Sequence, residues 1–142
     1  LLNNRMKMES NIIQHHEYFD FESFYETIRK GYISIDNHDF DLFMNTEGVK
    51  HSFIGMADGK NRIHDAVTGI LSSASDIIRQ ASTMIITVIR SLEAKQPLSI
   101  KEMQFITDFL SNVSSGCEVI WGLTDDSSLG NKVKVIILVN IK

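Results

Sequence analysis

The chain has 142 residues, 14 Lys and Arg against 18 Asp and Glu, one Cys, one Pro and 43% hydrophobic residues. That length fits one domain, burying about 70% of the surface its unfolded chain exposes, and the ordinary apolar content excludes a disordered chain. A formal net charge of −4 removes the clustered basic face that a nucleic-acid partner requires.

The longest apolar run, Val135 to Val139, is too short to span a bilayer. No charged-then-apolar segment opens the chain, so secretion loses its support. One cysteine makes no internal disulfide, in keeping with a reducing compartment. The chain opens on Leu1 rather than Met, as a piece of something longer would.

Leu1 to Glu17 is polar and irregular. Tyr18, Phe21, Phe24, Tyr25 and Ile28 then keep to one helical face, with Asp20 able to cap the start and Arg29-Lys30-Gly31 reading as the end. A short extended piece, Tyr32 to Ile35, leads into Asp36-Asn37-His38-Asp39, where Asp36 can cap a brief helix over 37–45 that carries Phe40, Phe43 and Met44 and is closed by Gly48. Lys50 to Met56 reads as a strand ending in a turn at Asp58-Gly59. Next comes the clearest helix, over 61–73, in which Ile63, Ala66, Val67, Ile70 and Leu71 follow helical spacing and Ala74, Ile77 and Ile78 extend the face.

Met84 to Ile89 is a β-branched apolar run with the length of a buried strand. After Pro97, Ser99-Ile100-Lys101-Glu102 forms a capping box opening a helix over 99–113, whose stripe is Ile100, Met103, Ile106, Leu110 and Val113. Gly116 ends it. Strands over 118–123 and 132–141 follow, and their short connection predicts antiparallel pairing. The expected architecture is a mixed α/β (α+β) fold, a four-stranded sheet with helices packed on it.

Candidate chemistry begins with an absence. The eight glycines are dispersed, with no P-loop or dinucleotide fingerprint, so this chain offers no cradle for a nucleotide. The densest polar constellation is Asp36-Asn37-His38-Asp39, followed by Asp41. Carboxylates on such a turn can polarise a water or bind a cation, and equally can cap a helix and favour its positive end. His15-His16-Glu17 and His38-Asp39 contain metal-ligand types, but adjacent residues point apart and no i, i+4 histidine pair exists on any helix. Cys117 reads as a structural thiol, His64 as a residue bordering its helix stripe, and Trp121 as a core aromatic.

Three segments resemble one family. Ile33 to Gly48, ISIDNHDFDLFMNTEG, is similar to the synergy loop and following helix of FtsZ, the tubulin-like bacterial cell-division GTPase, whose loop reads roughly I-N-x-D-F-x-D. Asp36 and Asp39 fall on the two loop aspartates, and Gly48 on the helix-ending glycine. Gly55, Ala57, Gly59, Asn61 and Arg62 fit a G-x-A-x-G-x-N-R stretch. Trp121-Gly122, Asp126, Ser128-Leu129-Gly130, Val133 and Val135 look like the family's F-G-x-x-x-D-x-x-L-G-x-x-V-x-V hairpin. The resemblance covers residues 33–142, taken as the C-terminal domain, with 1–32 as a polar segment and short helix equivalent to, or a remnant of, the central helix.

The resemblance implies a cytoplasmic, septum-forming filament in which subunits self-assemble head to tail, without nucleic acid or membrane insertion. Asp36 and Asp39 would be catalytic in trans, orienting the water that attacks GTP held by the neighbouring subunit. GTP is then implied for a parent protein, while this chain holds no cofactor and is not active by itself. Ser34 stands where the family has Asn, and Asn37 where it has Phe, and the helix before the loop is short. These departures favour an alternative, a non-catalytic module that docks on or caps filaments. A small acid–base enzyme working in the helix–strand cleft is a third reading, opposed by the lack of Arg or Lys clusters.

Overall fold

The computed structural model describes residues 12–14, 37–113 and 116–142. The order of elements is β1 (Ile12–Gln14), α1 (Asn37–Asn45), β2 (Val49–Ala57), α2 (Arg62–Arg79), β3 (Thr83–Arg90), α3 (Ile100–Ser111), β4 (Glu118–Asp125), a 3-10 turn (Ser127–Leu129) and β5 (Val133–Ile141). The expected helix at 20–30, the extended piece at 32–35 and the loop residue Asp36 lie outside the described residues.

The strands form one mixed sheet in the order β1-β2-β5-β3-β4. β5 is antiparallel to both β2 and β3, while β1 runs parallel to β2 and β4 parallel to β3. The four expected strands are present, with the three-residue β1 added at one edge. The predicted β4–β5 hairpin is not. β3 has already taken the inner edge of β4, and the connection after β4 carries the chain across the end of β3, where the Asp126 N–H donates to the Arg90 carbonyl at 2.8 Å.

The composition of β5 accounts for its place. Val133, Val135, Ile137 and Val139 alternate with Ile136, Leu138 and Asn140, and all seven are buried. A strand apolar on both faces is stable only with layers on both sides, which a central position provides. β4 has one neighbour and is correspondingly half open.

Two clusters flank the sheet. On one face Phe53, Met84, Ile86, Val88, Val135 and Ile137 join Ile63, Ala66, Val67, Ile70, Ala74 and Ile78 of α2 and Ile106 of α3. On the other, Ile54, Ile85, Ile89, Ile136 and Leu138 join Phe40, Phe43 and Met44 of α1 and Leu129. The helix stripes read from the sequence therefore face the sheet, with one exception. Ile100 is 90% exposed, because it lies six residues before the buried Ile106 and so about 120° round the helix from it. Trp121, expected in the core, is 39% exposed on edge strand β4.

At Gly55 the helix and sheet meet backbone to backbone: a Cβ there would lie 2.1 Å from the Ala66 carbonyl oxygen. Gly55→Ala must push α2 off β2 and is expected to cost about 3 kcal/mol. Gly69, inside the same helix, has nothing within 4 Å of a new Cβ, so Gly69→Ala should stabilise by about 0.5–1 kcal/mol. Urea denaturation of the two variants checks both signs.

Candidate functional site

The loop-bearing helix α1 is held to the sheet by its apolar side, through Phe40, Phe43 and Met44. Asp39 lies in its first turn and is half-buried, Asp41 is half-buried, and His38 is exposed. An acidic group here complements the positive end of the helix. Asp36, the other candidate carboxylate, lies outside the described residues, so the structure describes one aspartate of the pair.

The far end of α1 is fixed by a polar cluster that the sequence did not single out. The Thr46 N–H donates to Leu42 O at 3.0 Å, closing the last turn. Gly48 then takes φ +138°, and a Cβ at this position would lie 2.6–2.8 Å from the Ile141 carbonyl and the Asn140 amide. Beneath the turn, Lys50 is buried among apolar strands, and burial pulls its ammonium below the usual lysine range. Its sequence signal is a charge inside an apolar strand, placed in register with Asn140.

A second buried cation organises the opposite end of β2. Arg62 is 4% exposed, and its Nε and one terminal nitrogen donate to the two carboxylate oxygens of Glu102 at 2.7 and 3.1 Å. The same guanidinium donates to Gln96 O at 2.9 Å and to Asn131 O at 3.1 Å. Glu102 closes the capping box as well, accepting from the Ser99 N–H at 3.2 Å while its own N–H donates to Ser99 Oγ at 3.1 Å. Burial by itself would raise the Glu102 carboxyl, but the hydrogen bonds from Arg62 and Ser99 outweigh it and hold the group below its usual range. The sequence signal for Arg62 was available: a cation in the first turn opposes the helix dipole and calls for a carboxylate partner.

Of the remaining candidates, His15, His16 and Glu17 lie outside the described residues, His64 is exposed and Cys117 is half-buried. The His64 ring sits edge-on to Phe105 at 4.8 Å, and its Nδ1 is 3.2 Å from Asp65. Cys117 is half-buried, and burial, then the Glu118 carboxylate, push its thiol up and away from the reactive thiolate. Among the described residues no three His, Cys, Asp or Glu side chains converge as metal ligands would, and no helix is long and apolar enough to cross a membrane. The groove at the starts of α2 and α3 holds His64 and Glu102, but Glu102 is engaged by Arg62, so an acid–base pair is not formed there. Among the described residues Gly48, Gly59 and Gly130 take positive φ, and Gly55 is covered by α2.

No family model matches the chain. The cell division protein FtsZ of Porphyromonas gingivalis is 29% identical over 115 residues, covering 78% of this chain and 24% of that protein. Among solved structures, a mutant FtsZ from M. jannaschii is 26% identical with a TM-score of 0.61, covering 76% of this chain and 32% of that one. An empty FtsZ dimer from the same organism gives 26% and 0.58, covering 76% of this chain and 31% of that one. CetZ from Methanosaeta thermophila shares the fold at 19% identity, with a TM-score of 0.51 and coverage of 85% of this chain and 34% of that one. The chain is thus similar to FtsZ in sequence and fold. It spans about a quarter of the curated relative and about a third of the solved chains.

The Arg62–Glu102 pair makes stability pH-dependent with a definite sign. Because the folded carboxyl titrates below the unfolded one, its contribution is complete above pH about 4.3 and is lost as pH falls through the lowered folded value. Glu102→Ala, which leaves the guanidinium buried without its carboxylate, should cost about 3 kcal/mol at neutral pH and flatten this acid limb. Urea midpoints measured from pH 7 down to pH 3 check both statements.

Proposed function

We propose that this chain is the GTPase-activating C-terminal part of an FtsZ-like cell-division GTPase, a cytoplasmic protein that assembles head to tail at the septum. Asp36 and Asp39 are the residues that act. Their carboxylates accept hydrogen bonds from a water beside the γ-phosphate of GTP bound to the adjacent subunit, orienting it for attack. Phosphoryl transfer needs chiefly positioning and charge stabilisation, so a carboxylate carried on a rigid element suits it. The observation that carries this reading is the placement of Asp39 in the first turn of a helix anchored at three apolar positions. A contact between unlike faces repeats without closing, which accounts for a filament rather than a closed dimer.

A non-catalytic module that docks on or caps filaments is the second reading, favoured by Ser34 and Asn37 within the loop. A glycine-rich phosphate-binding half encoded upstream of Leu1 supports the GTPase, and its absence supports the module.

In a full-length product that carries such a half, Asp36→Ala and Asp39→Ala should each lower turnover about 100-fold or more. Nucleotide affinity should change little and filaments should persist longer. Asp36→Asn keeps a capping side chain, so stability should survive while hydrolysis fails. Parental turnover in Asp36→Asn, measured by phosphate release, sinks the catalytic assignment.

Residues 1–142 by themselves should show no GTP binding in titration calorimetry. Micromolar affinity would overturn the reading of this chain as the activating half.

A further inference from the structure

The end of α1 opposite Asp39 needs an explanation that packing does not provide. The last turn of the helix contains no basic residue, although its exposed carbonyls and the negative end of its dipole favour a cation there. The cation comes instead from the next strand. Lys50 Nζ donates to Thr46 O, to Gly48 O at 3.4 Å and to Asn140 Oδ1 at 3.0 Å. An ammonium has three N–H groups, and these three oxygens match them one to one. The Phe43 ring lies 5.9 Å from the same nitrogen, within cation–π range.

The niche is built from several directions. Asn140, fully buried, is held from both sides: its amide nitrogen donates to Glu47 O at 3.0 Å, and its backbone oxygen accepts from the Ser82 N–H at 2.8 Å and Ser82 Oγ at 2.9 Å. That fixes the amide oxygen toward Lys50. Gly48 brings the turn over the ammonium in a conformation that other residues rarely adopt. Among the described residues no carboxylate pairs with Lys50. Burying a cation among neutral oxygens is costly, whereas a similarly sized apolar side chain is not. The group is thus poorly explained as core filling and well explained as a specific tie.

We infer that Lys50 is the positioning residue of α1: its ammonium is a tethered monovalent cation that occupies a three-oxygen niche and fixes how the helix is seated on the sheet. Asp39 stands seven residues before Thr46, about two turns along the same helix, so the seating of one sets the direction of the other. The bearing on catalysis rests on the reading of Asp39 given above, while the niche itself does not. A niche of this kind accepts a free cation of the same chemistry once the side chain is removed.

Hydrogen exchange of the 142-residue chain tests this. Lys50→Met should lower amide protection in α1 about tenfold or more, while amides of α2 keep theirs. In Lys50→Ala, α1 protection should return in ammonium or methylammonium chloride and not in tetramethylammonium chloride of equal ionic strength. Unchanged α1 protection in Lys50→Met, an equal loss throughout α2 and α3, or equal recovery with tetramethylammonium would each overturn the inference. The unsubstituted chain supplies a measurement that needs no variant to fold: proton–nitrogen spectra should contain one slowly exchanging lysine ammonium, and its absence is equally decisive. None of these readouts involves GTP. Parental turnover in Asp39→Ala would therefore remove the catalytic reading and leave the Lys50 tie standing.

Discussion

A single guanidinium ties together one end of the sheet. Three connections finish there: the turn between β2 and α2, the loop from β3 to α3, and the crossing from β4 to β5. Arg62 reaches a backbone carbonyl in the second, another in the third and the capping carboxylate of α3. Such an ion is tolerated in a buried position because its charge is met by a two-pronged carboxylate and its other donors by carbonyls. The arrangement is directional as well as attractive. It orients α3 relative to α2, so both helices present their apolar stripes to the same face of the sheet. The close approach at Gly55 then sets how near α2 can lie.

What was legible in the sequence was mostly local. The stripe from Ile63 to Ile78 and the Ser99–Glu102 box depend on residues within a few turns of one another, and both are found where the spacing puts them. The strands were readable too, because short β-branched and apolar runs bounded by turn residues mark them. Their pairing was not. A short connection favours a hairpin only when the neighbouring edge is free, and β3 occupies it. Edge position likewise undid the core assignment of Trp121, and helical phase undid that of Ile100.

Site residues divide along the same line. Asp39 was singled out as a candidate from its motif because the loop is contiguous. Arg62 was visible as a letter in a motif, but its partners lie 34, 40 and 69 positions away. Lys50 meets Asn140 across 90 positions, and no periodicity connects them. The two buried cations also perform different tasks. One gathers loops at the end of the helical layer, and the other secures the short helix α1 on the opposite face.

The central place of β5 has a consequence for how the chain acquires its structure. β2 and β3 have no hydrogen bonds to each other; both are bonded to residues 133–141. A ribosome that has released everything through β4 has therefore produced two separate parallel pieces, β1 with β2 and β3 with β4, and no common sheet. Their apolar flanks stay open until the next segment emerges. Such long-range closure is slow, and an unfilled slot between two strand edges is the kind of surface on which another copy can intrude. The alternating Lys132 and Lys134 before the apolar run place charge at the entrance to that slot, where it opposes pairing by a like strand.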